Sequence, residues 1–189
     1  RYTILPHKDG YPQNPYRGCE HGCIYCYARP SHEDLDFSAG LDFESSIITK
    51  SHLILQDIDI LSEMAAHNLI HVNLSITTLN QTLFEKMEPR ASSPGKRIEC
   101  LRSLSAANIP TGVMFAPLIP GLNYEEMDYI LKLASTNGAQ WAKYVLLRLP
   151  GSVEPLFSDW LDQNSPNKKN KVVNAIGLVR AGSMNDTSF

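Results

Sequence analysis

Three of the four cysteines in this chain of 189 residues lie close together, at Cys19, Cys23 and Cys26. Their spacing is C-x3-C-x2-C on one short segment. Three thiolates on such a loop can bind three irons of a cubic 4Fe-4S cluster and leave the fourth iron without a protein ligand. A small molecule can bind and react at an open iron, so the spacing predicts redox chemistry rather than a purely structural metal.

Structural zinc is the alternative for the same loop, with His21 as the fourth ligand of a Cys3His set. Zinc ligands usually come in pairs from two separated knuckles, and four ligands on so short a segment make a poor tetrahedron. The spacing therefore favours the cluster. Clustered cysteines in a chain without a secretory leader also indicate a reducing compartment, so we expect a cytoplasmic protein.

The composition is that of one ordinary globular domain, with 43% hydrophobic and 20% charged residues. The net charge of −3 provides no overall basic field for nucleic acid. The longest uncharged run, residues 103–124, contains three prolines, so no membrane span is expected.

Strand and helix patterns alternate along the latter two thirds of the chain. Apolar runs and polar–apolar alternation predict strands at 46–49 or 53–55, at 70–77, at 112–116 with an end at Pro117, and at 141–149. Apolar residues at helical spacing predict helices at 57–68 and 95–108. A third helix is predicted to be capped by Asn123, with Glu126 in the capping box, and to end near Gly138. Ser165-Pro166 predicts the start of a last helix that runs toward Gly182. This alternation predicts an α/β fold with a parallel sheet, whose site lies at the carboxyl ends of the strands.

The cysteine segment has an aromatic residue, Tyr25, before its last cysteine, and in this it resembles the radical S-adenosylmethionine (radical SAM) superfamily. The resemblance extends over nearly the whole chain. The segments similar to the spore photoproduct lyase-related branch, often labelled DNA repair photolyases, are Asn14–Arg29, Ser38–Glu44, Met87–Arg90, Ala116–Gly121 and Leu147–Pro150.

This resemblance implies a partial parallel (β/α) barrel of radical SAM type in a single core domain, residues 1–189. Members of the branch carry a strand, helices and a cofactor-contacting segment between the regions like Glu44 and Ile48, which are almost adjacent here. We therefore expect an internal deletion near 44–51 that removes at least one βα unit after Glu44. We also expect that both termini are truncated.

The activity that the resemblance implies is reductive cleavage of S-adenosylmethionine to a 5′-deoxyadenosyl radical, which abstracts hydrogen from a substrate. The cofactors would be a 4Fe-4S cluster on Cys19, Cys23 and Cys26 and S-adenosylmethionine on the open iron. An electron donor of flavodoxin or ferredoxin type is implied, and a nucleic acid lesion is a candidate substrate. The alternatives are a non-catalytic iron–sulfur or zinc-binding protein, and an inactive fragment of such an enzyme.

Six residues are predicted to contact the cofactor. Tyr25 is placed beside the adenine, Ser75 and Thr77 near the ribose, Ile119 along the adenine, and Arg90 and Arg148 at the carboxylate, which guanidinium groups bind in a fork. No catalytic residue is predicted.

Each of these assignments has a structural alternative. Ser75 and Thr77 are equally well explained as polar groups on a half-exposed strand, and Arg90 as an ion-pair partner of Glu88. Arg148 lies between leucines on a predicted buried strand, where a guanidinium needs an anionic partner. Cys100 is either a hydrogen-atom donor or a buried core residue, and its apolar neighbours favour the core.

Overall fold

A four-stranded parallel sheet is the centre of the computed structural model, which describes residues 45–149, 151 and 153–179. Its strands are β1 (Ser45–Thr49), β2 (Ile70–Ser75), β3 (Thr111–Leu118) and β4 (Trp141–Leu146), and they are neighbours in the order β1-β2-β3-β4. Consecutive neighbouring strands with helical crossovers are the arrangement of a segment of a (β/α) barrel. The α/β class with a parallel sheet is therefore confirmed.

The helices of the described part are α1 (Ile58–Ala66), α2 (Gln81–Met87), α3 (Pro94–Ala106), α4 (Met127–Thr136), α5 (Val153–Asn164) and α6 (Pro166–Val179). Short 3-10 turns at His52–Asp57 and Tyr124–Glu126 precede α1 and α4. None of these described helices is long and apolar enough to cross a membrane.

Two hydrophobic clusters hold the sheet and helices together. The first joins one face of the strands to α1, α3 and α4, and its buried residues include Val72, Leu74, Val113 and Phe115. Burial of side chains of this size is the main favourable term in folding. The second cluster packs α5 and α6 against residues that follow β3 and β4, at the carboxyl ends of those strands.

The predicted strands are present, with different limits: β2 ends at Ser75 and β4 at Leu146, earlier than predicted, and of the alternatives 46–49 and 53–55 the first is the strand. Residues 53–55 belong to a 3-10 turn, because the Ser51 hydroxyl accepts a hydrogen bond from the Leu53 N–H and starts the turn there. Strand β3 does not end at Pro117 but continues to Leu118, with a register shift between Phe115 and Leu118. A shift of this kind accommodates a proline, which has no N–H to donate to the neighbouring strand.

The predicted helices at 57–68 and 95–108 are confirmed, whereas α2 and α5 were not predicted. The N-terminus of α2 carries a recognisable signal, because Asn80 accepts a hydrogen bond from the Leu83 N–H. The capping box at Asn123 is wrong: its side chain makes no cap, and a 3-10 turn precedes α4. Gly138 lies just beyond α4 with a φ of +94°, as a helix-ending glycine should.

The face of the sheet away from the first cluster carries a polar row. The indole of Trp141 lies on Gly112, where a Cβ would stand 2.1 Å from the indole Nε1. That Nε1 donates a hydrogen bond of 2.8 Å to Asn73 Oδ1, and Asn73 Nδ2 lies 3.3 Å from Ser46 Oγ. One chain of side chains therefore crosses from β4 to β1.

Replacing Gly112 by alanine tests this row. The added methyl must displace the indole from Asn73, so we expect the free energy of unfolding to fall by about 1–3 kcal/mol in urea titrations. In a Trp141→Ala background the same replacement should be nearly neutral, because no ring is left to displace. Equal losses in the two backgrounds would contradict the packing described.

Candidate functional site

The carboxyl edge of the sheet collects most of the described residues that were predicted to contact the cofactor. Ser75 ends β2 and Thr77 lies two residues beyond it, Ile119 follows β3, and Arg148 follows β4. The strands are parallel, so their carboxyl ends meet at one edge. Arg148 was predicted to lie on a strand, which is wrong, because β4 ends at Leu146 and Arg148 belongs to the segment after it.

The two hydroxyls at the end of β2 are buried rather than half-exposed. Ser75 Oγ and Thr77 Oγ1 lie 3.1 Å and 2.9 Å from the carbonyl oxygen of Ala116 on β3. These contacts join β2 to β3 just where the pairing of the two strands ends. The predicted contact of these hydroxyls with a ribose stays a prediction.

A buried carboxylate, Glu88, lies at the centre of the edge and is 0% exposed. Its Oε1 accepts a hydrogen bond of 2.6 Å from the Thr77 hydroxyl and lies 3.3 Å from the Lys50 ammonium. Its Oε2 accepts a hydrogen bond from Arg97 Nη2. Glu88 therefore connects the ends of β1 and β2 to α3.

The guanidinium of Arg97 is 1% exposed and binds three different parts of the chain. In addition to Glu88, its Nη1 donates to the Ser75 carbonyl at 2.8 Å and its Nε donates to the Ser92 carbonyl at 2.7 Å. The group also lies 5.5 Å from the centroid of the Phe84 ring. A buried charge is stable only with such a full set of partners.

Sequence reasoning missed Lys50 and Arg97 and treated Glu88 as equally well a partner of Arg90 or a contact of the cofactor. One signal was available: Arg97 lies on the apolar face of α3, in line with Leu101 and Leu104, which are buried. A charged residue at a core position of a helix indicates a buried ion pair. The position of its carboxylate at the end of α2 could not be read from spacing, because α2 was not predicted.

Two further side chains fix the loops at this edge. Asn123 Nδ2 donates to the carbonyls of Thr77 and Pro117 at 2.8 Å and 3.0 Å, and its Oδ1 accepts from the Ile119 N–H at 2.7 Å. Glu126 accepts from the Thr78 hydroxyl at 2.5 Å and from the N–H groups of Leu79 and Asn80 at 2.8 Å and 3.3 Å. The loop after β2 is thereby held against the loop after β3.

The remaining predicted contacts lie at different depths. Ile119 is fully buried in the second cluster, and Arg148 is partly buried and has contacts of its own. Arg90 is exposed on the loop between α2 and α3 and also has a contact within the chain. Whether these side chains bind a cofactor stays a prediction.

The residues at this edge fit the chemistry of S-adenosylmethionine. An ammonium that is 16% exposed, Lys50, and a partly buried guanidinium, Arg148, are donors suited to its carboxylate. The predicted cluster ligands Cys19, Cys23 and Cys26 and the predicted adenine contact Tyr25 lie outside the described residues. Within the described residues, no group of three or more His, Cys, Asp or Glu side chains could hold a metal ion.

The fourth cysteine, Cys100, is fully buried in the first hydrophobic cluster. Burial raises the pKa of its thiol to about 12 by penalising the charged thiolate. The structure therefore supports the core interpretation of this residue over that of a hydrogen-atom donor at the site.

Comparison with known proteins identifies one matching family. The model of the Radical SAM superfamily matches residues 31–134, which is more than half of the chain. An uncharacterized protein of Mycobacterium tuberculosis is 26% identical over 217 residues, covering 82% of this chain and 64% of that protein. One of Methanocaldococcus jannaschii is 24% identical over 220 residues, covering 90% of this chain and 82% of that protein.

The chain spans less than two thirds of the mycobacterial relative. Both alignments are longer than the 189 residues of the chain itself, so each includes positions of the relative that have no counterpart here.

Among solved structures, spore photoproduct lyase with bound AdoMet and dinucleoside spore photoproduct is similar with a TM-score of 0.49 at 17% identity, covering 65% of this chain and 36% of that one. A spore photoproduct lyase complexed with dinucleoside spore photoproduct gives a TM-score of 0.47 at 18% identity, with 67% and 36% covered.

Removing the Arg97 guanidinium tests the buried ion pair. Arg97→Leu leaves the Glu88 carboxylate buried with fewer donors, so we expect a loss of about 3–5 kcal/mol in the free energy of unfolding. The control is Arg102→Leu, an exposed residue of the same helix, which should change it by no more than about 0.5 kcal/mol. Similar losses for the two variants in urea titrations would contradict the assignment.

The Cys100 thiol should make stability depend on pH in the alkaline range. Its pKa is about 12 in the folded chain against an ordinary 9.0, so the folded state keeps this proton more tightly than the unfolded state does. Its contribution is present below pH 9.0 and is lost as the pH rises from 9.0 toward 12, by about 1.4 kcal/mol per pH unit. Unfolding of wild type and Cys100→Ala, compared across this range, measures it. Identical pH dependence in both proteins would contradict burial of the thiol.

Proposed function

The chain belongs to the radical SAM superfamily, and we propose that it is an enzyme that binds S-adenosylmethionine at the carboxyl edge of its sheet, beside a 4Fe-4S cluster on Cys19, Cys23 and Cys26. The observation that carries this proposal is the family match together with the cations and hydroxyls gathered at that edge. When bound, the cluster and S-adenosylmethionine together supply reductive cleavage of the sulfonium and a carbon radical that abstracts hydrogen from an organic substrate.

The described residues have distinct roles in this proposal. Lys50 and Arg148 bind the cofactor carboxylate, with Arg90 as the third candidate cation, since ammonium and guanidinium groups form strong charge-assisted hydrogen bonds with carboxylates. Ser75 and Thr77 hold the ends of β2 and β3 together beneath the ribose. Ile119, buried in the second cluster and anchored through its N–H to Asn123, supports the segment after β3 along which the adenine would lie, and Tyr25 is the second proposed adenine contact.

We propose a nucleic acid lesion as the substrate class. The segments similar to the spore photoproduct lyase-related branch support this choice, and the net charge of −3 means that any nucleic acid contact must come from a local basic surface. The electron would come from a flavodoxin or ferredoxin type of donor. A cytoplasmic location follows the same proposal, because thiolate ligands must remain reduced.

An internal deletion before β1 is part of the proposal. The alignments with the relatives, which contain positions with no counterpart here, support it. So does β1 itself, which begins at Ser45, is an outer strand among the four described strands and leaves Ile48 50% exposed. A preceding βα unit would cover such a strand, because parallel sheets are normally buried on both faces.

The same feature favours a second candidate function, a cluster-binding protein without turnover. A chain that lacks one βα unit could bind the cluster through its three cysteines and yet hold S-adenosylmethionine too loosely to cleave it. A measurement of cofactor cleavage separates the two candidates.

Anaerobic reconstitution with iron and sulfide tests the proposed enzyme. We expect about four irons and four sulfides per chain, a change in the electron paramagnetic resonance spectrum of the reduced cluster on adding S-adenosylmethionine, and formation of 5′-deoxyadenosine. A stable cluster without 5′-deoxyadenosine would favour the second candidate, whereas a single zinc ion without sulfide would contradict both.

Cysteine variants provide the control for this experiment. Replacing any one of Cys19, Cys23 and Cys26 by alanine should reduce cluster content and 5′-deoxyadenosine formation at least about tenfold, because each removes an iron ligand. Cys100→Ala should leave the cluster content near that of the wild type, because this thiol is buried away from the edge of the sheet.

A further inference from the structure

We propose that Glu88 and Arg97 are positioning residues for the reaction proposed above, which fix the Lys50 ammonium and the end of β2 in a single arrangement at the strand edge. The inference rests on the proposed function for its link to S-adenosylmethionine. Neither residue belongs to the six predicted cofactor contacts, and both act through other groups.

The first observation is that both oxygens of the Glu88 carboxylate are bound. One oxygen receives the Thr77 hydroxyl at 2.6 Å and the Lys50 ammonium at 3.3 Å, and the other receives Arg97. A carboxylate bound on both oxygens cannot rotate away from one partner without breaking its bonds to the others. The lysine side chain has a flexible four-carbon stem, so its contact with the fixed Glu88 carboxylate restricts the position of its ammonium.

The second observation is the shape of the Arg97 group. Its planar guanidinium donates in three directions, to Glu88, to the Ser75 carbonyl and to the Ser92 carbonyl. The Ser75 carbonyl is the last one of β2, so Arg97 fixes the end of that strand as well as the carboxylate. A lysine could not reproduce this fork of donors from one position.

The third observation is the balance of charge. Glu88 contributes one negative charge, and Arg97 and Lys50 contribute two positive charges in contact with it. The pair of Glu88 and Arg97 is buried, whereas the side chain of Lys50 is 16% exposed. Two cations therefore share one carboxylate, and the one that a ligand at the edge can reach is the Lys50 ammonium.

A second carboxylate at the same edge provides the matched comparison. Glu126 also accepts three hydrogen bonds, from Thr78, Leu79 and Asn80, but within the described part of the chain it has no cationic partner. Both carboxylates fix loops, and only Glu88 fixes a cation. A purely structural role predicts similar consequences for Glu88→Gln and Glu126→Gln, whereas a positioning role predicts that they differ.

The experiment measures how fast individual lysines of the reconstituted protein are acetylated, by analysing its peptides. The exposed Lys96 is the internal reference. We expect Glu88→Gln to raise the acetylation rate of Lys50 relative to Lys96 about fivefold, since loss of an ion pair of ordinary strength frees the ammonium by this factor. Glu126→Gln should leave the ratio unchanged, and Glu88→Asp, which keeps the charge, should restore most of the protection.

Binding of S-adenosylmethionine by equilibrium dialysis is the second arm, with thermal unfolding as the measure of folding. Glu88→Gln should weaken binding about tenfold and more than Glu126→Gln does, because of these two described carboxylates Glu88 is the one that contacts Lys50. An unchanged Lys50 rate in folded Glu88→Gln, or a raised rate with unchanged cofactor affinity, would overturn the inference.

Two outcomes remain to be separated. If Glu88→Gln does not fold, the acetylation rates are measured in the wild-type protein. We expect Lys50 to be acetylated more slowly than Lys96 in the folded state and at the same rate after denaturation. Equal rates in the folded state would overturn the inference. Failure of the wild type to bind S-adenosylmethionine would overturn the proposed function, whereas the acetylation ratios would still report whether Glu88 holds Lys50.

Discussion

The ion pair between Glu88 and Arg97 is the interaction on which the arrangement of the carboxyl edge depends most. Both groups are withdrawn from water, and a buried charge is strongly unfavourable unless it is paired and hydrogen-bonded. Both groups therefore bind residues at the carboxyl ends of strands: Glu88 contacts Thr77 and Lys50, and Arg97 donates to the Ser75 carbonyl. The geometry of the edge is therefore set by electrostatics, although hydrophobic burial provides most of the stability.

The parallel sheet brings the residues of the proposed site to one place. Its strands end at one edge, so a few short segments can place cations, hydroxyls and apolar side chains close together without long loops. Asn123 and Glu126 then fix the segments to one another, and the second cluster packs α5 and α6 against them. The proposed radical reaction would require segments fixed in this way, because the reactive species must meet its substrate before water or another hydrogen donor.

Sequence patterns predicted the fold better than they predicted the site. Periodicity and turn signals located the four strands and four of the six described helices, because hydrophobic periodicity reports directly which faces are buried. Periodicity does not identify the partners of individual polar side chains. Arg97 and Glu88 are brought together by the turn between α2 and α3, and Asn123, instead of capping a helix, binds Thr77 after β2, Pro117 on β3 and Ile119 on its own loop. The location of Ser75 and Thr77 at a strand end was predicted, but their burial was not.

Hydrogen–deuterium exchange on the anaerobically reconstituted protein, with and without S-adenosylmethionine, tests most directly whether the carboxyl edge is the cofactor site. Binding there should slow exchange in the segments after β1, β2, β3 and β4, at residues 50–52, 76–80, 119–123 and 147–149, and leave the amino ends of the strands unchanged. Protection confined to the amino ends, or no protection at a concentration of S-adenosylmethionine that alters the spectrum of the cluster, would contradict this account.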